Sequence, residues 1–125
     1  FEGLREPSAR AAFNSMVKGR IAEAGGEVDN PPPLHCDFRT VEYSTGAHMG
    51  EKKWEACRGL GLAFGYNQAE RTEDYLTGTQ LIALYRDVTM RGGNLLINVG
   101  PMANAIIPDL QQRLLLELGA AIRGG

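Results

Sequence analysis

The sequence lacks the features that mark several large classes of protein. No stretch of its 125 residues approaches the roughly 18 consecutive apolar residues typical of a membrane-spanning helix. Its 13 lysines and arginines, against 15 aspartates and glutamates, form no basic stripe, which argues against a nucleic-acid partner. It contains neither a Gly-x-Gly-x-x-Gly run nor a Gly-Lys-Ser/Thr loop, which argues against a nucleotide or phosphate site at its glycines.

Cysteine and histidine are also scarce. Cys36 and Cys57 are the only cysteines, and neither belongs to a Cys-x-x-Cys pair. His35 beside Cys36 offers a second metal ligand, but two more are not evident in the sequence. We therefore predict two buried free thiols rather than a metal site. The residues themselves leave the cellular compartment open.

The first half of the chain predicts few regular elements. Scattered alanines favour the end of a helix over residues 1–15, and Ser15-Met16-Val17 favours a short strand. Residues 22–34, with paired glycines and three consecutive prolines, predict a loop. Residues 37–43 are extended but mixed in polarity. Alternating apolar residues predict a strand within residues 53–66, and the glycines inside it predict a bend or a close backbone approach.

The second half has clearer patterns. Thr77 and Gln80 fit a capping box that opens a helix, and Gly92 suits its carboxyl-terminal cap. Residues 94–99 form an apolar run without alternation, typical of a strand buried on both faces of a parallel sheet. Pro108 suits the start of a last helix. The predicted buried faces of the two helices consist of Leu81, Leu84, Tyr85 and Val88, then Leu110, Leu114, Leu118 and Ile122.

This order of strand, helix, strand and helix predicts the α/β class, with a third unit near Val17 or Phe38. Either a doubly wound sheet or a βα barrel fits, and a barrel needs about 250 residues. The chain starts at Phe1 without a methionine, within a helix-like segment, so we expect residues 1–125 to be part of a longer domain. In both folds chemistry lies at the carboxyl ends of the strands. Asn98, Gly100 and Pro101 are therefore expected beside a substrate.

Four motifs, in one order and at consistent spacings, resemble the α-L-fucosidases of glycoside hydrolase family 29. They are Asp37–Tyr43, Lys53–Gly61, Phe64–Asn67 and Gly92–Pro101. The resemblance implies the C-terminal portion of a (β/α)8 TIM-like catalytic barrel. It implies retaining hydrolysis of terminal α-L-fucose from glycans or glycoconjugates, without a metal or an organic cofactor. For the parent protein we expect no membrane or nucleic-acid partner, and a secreted, periplasmic or lysosomal-type location. An oligomer of the parent is compatible with the resemblance.

The resemblance also assigns roles to residues. A retaining glycosidase needs two carboxyl groups about 5 Å apart, one as nucleophile and one as acid/base. The family nucleophile is an aspartate in a motif that residues 1–35 do not match, so it is expected before Phe1, and this chain alone is not expected to hydrolyse fucosides. The acid/base falls on Glu42. Arg20, after a Val-x-x-Arg run in which Lys18-Gly19 replaces Asn-Asp, corresponds to a sugar-contacting arginine.

Each candidate also has a structural interpretation. Glu42 is otherwise a loop carboxylate paired with Arg39, and Glu55 is its chief rival as acid/base. Four residues are candidate sugar contacts: His35, Trp54, Tyr66 and Asn67. The single tryptophan is otherwise a core residue, and His35 a structural one. Glu70 and Glu73 are expected to be solvated. The alternative function is an inactive fragment or a carbohydrate-binding relic of a glycosidase barrel.

Overall fold

The computed structural model describes residues 7–23, 37–43 and 53–124. Its sheet has three strands, β1 (Arg39–Glu42), β2 (Trp54–Gly59) and β3 (Asn94–Asn98), in the order β1-β2-β3. Both neighbouring pairs are parallel. The predicted α/β class with a parallel sheet is therefore confirmed, and the third strand lies at Arg39–Glu42, beside Phe38.

Three helices accompany the sheet: α1 (Pro7–Glu23), α2 (Gly78–Met90) and α3 (Asp109–Arg123). A short 3-10 helix at Thr72–Asp74 precedes α2. Helix α2 connects β2 to β3, and α3 follows β3, so two βα units stand in sequence as predicted. Because α2 is a crossover between parallel neighbours, it packs back on one face of the sheet.

The ends of α2 follow from local chemistry. The Thr77 side chain accepts a hydrogen bond from the Gln80 amide, and the Gln80 side chain accepts one from the Thr77 amide, as the capping box predicts. At the other end Gly92 has φ of 72°, a conformation that glycine adopts without strain. The amides of Gly92 and Gly93 then donate to the carbonyls of Thr89 and Val88, and the last turn is closed.

The core lies between helices α2 and α3 and one face of the sheet. One cluster joins Leu60 to Leu81 of α2 and to Leu114 and Leu118 of α3. A second cluster joins Trp54 and Ala56 of β2 to Val88, with Val41 and Leu95 of the neighbouring strands packed against it: Trp54, Ala56 and Val88 are all buried. The predicted α3 stripe is confirmed at its centre, but Ile122 is exposed because it lies in the last turn of α3.

Two sequence-based predictions of strands are corrected. Ser15–Val17 lies inside α1 because alanine, arginine and lysine, good helix formers, surround its one β-branched residue. The strand predicted within residues 53–66 ends at Gly59, after which the backbone turns back on itself. A Cβ at Gly59 would lie 2.5 Å from the Ala63 carbonyl oxygen, so the predicted close approach is confirmed at this glycine.

Candidate active site at the carboxyl edge of the sheet

The carboxyl ends of the three strands form one edge of the sheet. Glu42 is level with Cys57, and Gly59 is level with Asn98. Tyr43 continues the ladder, since its amide donates to the Cys57 carbonyl over 3.0 Å. In parallel α/β folds this edge carries the chemistry. The edge therefore brings together the end of β1, the loop after β2 and the predicted Asn98–Pro101 segment.

Glu42 faces away from the helices. Along β1, Arg39 and Val41 are half-buried, whereas Thr40 and Glu42 are exposed, which is the alternation of a strand with one covered face. Val41 packs on the cluster beneath α2, so Glu42 projects from the opposite face. Its neighbours in register on that face are Cys57 and then Leu96, which is 47% exposed. In a βα barrel this helix-free face is the interior.

The structure bears on both alternatives to Glu42 as acid/base: a loop carboxylate paired with Arg39, and the rival Glu55. Glu42 belongs to a strand rather than a loop, and Arg39, three residues earlier, projects from the other face. Glu55 lies on the same face as Glu42 but nearer to the amino ends of the strands, level with Asn94 at the start of β3. Its carboxylate accepts a 2.6 Å hydrogen bond from the Asn94 side chain. Glu42 is thus the carboxylate nearer to the edge, and Glu55 is held toward the amino ends of the strands.

Cys57 reports the electrostatics of this face. It is a free thiol, as predicted, but it is partly exposed rather than buried. Burial raises the pKa of this thiol, and the nearby negative charges of Glu42 and Glu55 raise it further. The face therefore carries a concentration of negative charge along β1 and β2. Cys36 lies outside the described residues.

Tyr43 ties the end of β1 to the turn after β2. Its hydroxyl accepts a hydrogen bond from the Gly59 amide over 3.3 Å and donates to the Gly61 carbonyl over 3.4 Å. Its ring meets the ring of Phe64 edge-on, with centroids 5.2 Å apart, and the Arg58 guanidinium lies 5.1 Å from the centroid. Burial raises the pKa of the Tyr43 phenol. This connection was not predicted from the sequence.

Glu70 holds the same turn from the other side. Its Oε1 accepts hydrogen bonds from the amides of Leu62 and Ala63 over 2.7 and 2.9 Å. The prediction of a solvated Glu70 is therefore wrong, because two backbone donors in the turn need an acceptor and the polar loop folds back to supply it. Glu73 is exposed, as predicted.

The strand end of β3 is tied to the β2 loop as well. The Asn98 side chain donates to the Phe64 carbonyl, so it orients the loop backbone. The Gly100 amide donates to the side chain of buried Gln111 over 3.0 Å, and Gln111 contacts the Tyr75 hydroxyl over 3.4 Å. A Cβ at Gly100 would lie 2.5 Å from the Tyr66 amide nitrogen, so this glycine permits the two segments to meet. A glutamine among the leucines of α3 was the available sequence signal for this connection.

Tyr66 and Asn67 lie in the loop at this edge. Tyr66 is 40% exposed, which leaves its ring accessible at the rim. The Asn67 carboxamide oxygen accepts from the Ala69 amide over 2.9 Å, and its own carbonyl accepts from the Glu70 amide. Asn67 therefore shapes the loop with one end of its side chain. As sugar contacts, both residues remain predictions.

Trp54 lies away from this edge. It starts β2 at the amino end, is only 4% exposed, and packs in the core against Ala56 and Val88. Its indole nitrogen donates to the Arg91 carbonyl over 3.4 Å, and a Cβ at Gly93 would meet its ring at 2.4 Å. The predicted sugar contact by Trp54 is therefore wrong, since the ring fills the space beneath α2 and its own strand separates it from the edge.

Arg20 and His35 are the two other predicted sugar contacts. Arg20 lies on α1 rather than after a strand, and α1 reaches the site loop through Asn14, whose side chain donates to the Ala69 carbonyl over 3.2 Å. His35 lies outside the described residues. Both remain predictions as sugar contacts.

The described residues bear on two further classes of site. Among residues 7–23, 37–43 and 53–124, no three His, Cys, Asp or Glu side chains group as ligands for a metal ion. None of the helices in these ranges is long and apolar enough to cross a membrane.

Comparison with known proteins identifies the family. The sequence model of the family described as Alpha-L-fucosidase matches residues 9–123, nearly the whole chain. The chain belongs to the α-L-fucosidase family. It is 40% identical over 112 residues to an α-L-fucosidase of Dictyostelium discoideum, covering 85% of this chain and 23% of that protein. It is 32% identical over 92 residues to human plasma α-L-fucosidase, covering 71% of this chain and 20% of that protein.

Solved α-L-fucosidase structures share the fold. Thermotoga maritima α-fucosidase in complex with a mechanism-based inhibitor superposes with a TM-score of 0.67 at 48% identity, over 74% of this chain and 21% of that one. The same enzyme has been solved with fucose. Isoenzyme 1 from Paenibacillus thiaminolyticus gives 0.66 at 30% identity, over 88% of this chain and 30% of that one. The catalytic domain of these α-L-fucosidases is a (β/α)8 barrel, which confirms the predicted fold class. The chain spans under a third of each of these relatives.

Proposed function

We propose that the protein containing this chain hydrolyses terminal α-L-fucosyl residues from glycans by a retaining mechanism, with Glu42 as the acid/base. The observation that carries the proposal is the position of Glu42 at the carboxyl edge of a parallel sheet, on the face that α2 and α3 leave open. Membership in the α-L-fucosidase family supports the reaction class. The fucose complex of the Thermotoga maritima enzyme supports a fucosylated substrate.

The mechanism uses two carboxyl groups in two steps. A nucleophilic carboxylate, expected outside these 125 residues, attacks the anomeric carbon while the bond from that carbon to the leaving oxygen breaks. Protonated Glu42 gives its proton to that oxygen. Glu42, now a carboxylate, takes a proton from water, whose oxygen attacks the anomeric carbon and releases the nucleophile. The second inversion restores the original configuration.

The loop after β2 would form the rim of this site. It is held by Tyr43, Glu70 and Asn98, so it is shaped before substrate binds. A preformed rim spares the ordering of backbone during binding. We also propose Tyr66 as a contact for the sugar or its aglycone, and its exposure in that loop supports this.

The test is Glu42→Ala in the full-length protein. We expect turnover of natural fucosides, whose leaving group needs protonation, to fall about 10²- to 10⁴-fold. Aryl fucosides with good leaving groups should lose less in the first step, and azide should speed their turnover by replacing water as the nucleophile. Glu55→Ala is the matched control, because Glu55 lies on the same face but away from the edge. Its activity should stay near that of the wild type.

The outcomes separate the alternatives. Wild-type turnover of natural fucosides by the Glu42→Ala variant would reject the assignment. Loss of activity with azide rescue in Glu55→Ala instead would transfer the role to Glu55. Fucose binding without hydrolysis by the unaltered full-length protein would favour the carbohydrate-binding relic.

A further inference from the structure

Tyr43 has an unusual backbone. It follows Glu42 directly, and its φ of 51° lies in the left-handed region. This conformation is uncommon for a bulky side chain and is strained. Such a conformation persists when its surroundings impose it. The contacts of Tyr43 must therefore stabilise its left-handed backbone conformation.

The phenol supplies two of these contacts. Its hydroxyl accepts a hydrogen bond from the amide of Gly59, the last residue of β2, and donates one to the carbonyl of Gly61 in the turn that follows. The Tyr43 amide also donates to the Cys57 carbonyl. The residue after Glu42 is thus fixed to β2 by both its backbone and its side chain.

The ring is held on two sides. Phe64 packs against it edge-on, and the Arg58 guanidinium lies within cation–π distance. Gly59 makes room for the hydroxyl, since a Cβ there would lie 2.9 Å from the phenol oxygen. The side chain therefore occupies a fitted position between β1 and the loop after β2.

From this arrangement we infer that Tyr43 is a positioning residue for Glu42, which fixes the strand end so that the carboxyl group meets the leaving oxygen in one orientation. The inference rests on the proposed function. A shift of about 1 Å in a reacting group can cost 10²-fold in rate, so proton transfer is sensitive to a loosened strand end. Tyr43 acts through the backbone of Glu42 and is not itself assigned a contact with the substrate.

The test compares two substrates on one preparation of full-length Tyr43→Phe. This variant keeps the ring and removes the hydroxyl. We expect kcat on a natural fucoside to fall about tenfold, with little change in KM, while turnover of an aryl fucoside that needs no acid in its first step stays within about twofold in single-turnover measurements. The ratio of the two rates does not depend on the folded fraction. Tyr85→Phe, on α2 and packed against the core, is the matched control and should leave the ratio unchanged.

The results distinguish the two proposals. An unchanged ratio in Tyr43→Phe, whether both rates are normal or both fall together, would overturn the positioning role. If the ratio is unchanged and Glu42→Ala is still crippled on natural fucosides, only this inference fails. If Glu42→Ala retains wild-type turnover, the proposed function fails first. A selective loss in Tyr43→Phe and in Glu42→Ala, but not in Tyr85→Phe, would establish both.

Discussion

Removal of the Glu70 carboxylate should release the loop that follows β2. Both the Leu62 and Ala63 amides donate to its Oε1, over 2.7 and 2.9 Å, in a half-buried setting. A hydrogen bond to a charged group contributes about 1.5–3 kcal/mol, and partial exposure favours the lower value. Because Glu70→Ala removes two such hydrogen bonds, at about 1.5 kcal/mol each, it should lower the free energy needed to open this loop by about 3 kcal/mol.

The size of the effect should depend on what replaces the carboxylate. Glu70→Gln keeps an oxygen acceptor but loses the charge, and neutral hydrogen bonds are about half as strong, so its cost should be about 1.5 kcal/mol. Glu73→Ala is the control in the same loop. Glu73 is exposed, and its carboxylate lies 3.9 Å from an Arg71 nitrogen, so its removal should change little.

Amide hydrogen exchange of the full-length protein measures this opening directly. Exchange at Leu62 and Ala63 should accelerate about 100-fold in Glu70→Ala and about tenfold in Glu70→Gln. Glu73→Ala should stay within about twofold of the wild type. Equal exchange in Glu70→Ala and the unaltered protein would refute the reasoning, because the carboxylate would then not be what holds the turn. An equal acceleration in Glu73→Ala would show a general loss of charge instead.

Two further predictions concern the buried ring of Trp54 and the half-buried phenol of Tyr43. Trp54→Phe should lower stability by about 1–2 kcal/mol, through a small cavity and the lost bond to the Arg91 carbonyl, without changing KM for fucosides; a raised KM with normal stability would contradict the core position. Burial raises the pKa of Tyr43 in the folded state, so the unfolded chain loses the phenol proton first as pH rises. The protonated phenol therefore contributes to the free energy of unfolding. This contribution is fully present below about pH 10 and is lost as pH rises through the folded pKa. Urea unfolding over about pH 9–11 should therefore show a weaker decline in Tyr43→Phe than in the unaltered protein, and identical slopes would count against it.

Local patterns in the sequence were sufficient for the second half of the fold. The Thr77–Gln80 capping box, the period of α2 and the glycine after it each depend on residues within a few positions of one another. The resemblance in four motifs identified the family that comparison then confirmed. The strand at Ser15–Val17 was mispredicted because three residues carry too little pattern to outweigh the helix formers around them.

The candidate site was predicted only in part. Glu42 was named because the resemblance assigns it a role, but its face followed only from the alternation along β1 and the cluster beneath α2. Trp54 was misplaced because an aromatic residue suits a sugar contact and a core position equally well. Its position at the amino end of β2, where it is buried, shows that it belongs to the core. Glu70 was dismissed because a carboxylate in a polar stretch shows no sign of the amides it will meet.

The class of fold, the order of the units from β2 onward and the two ends of α2 could be predicted from the residues alone, since these depend on neighbours along the chain. Which side chains meet at the carboxyl edge became evident only from the folded chain. Parallel pairing sets Glu42 beside Cys57 and draws Tyr43 onto the turn after β2, across separations of up to 18 residues. Contacts of this kind depend on strand register and on which face the helices cover, and neither is written in a local pattern.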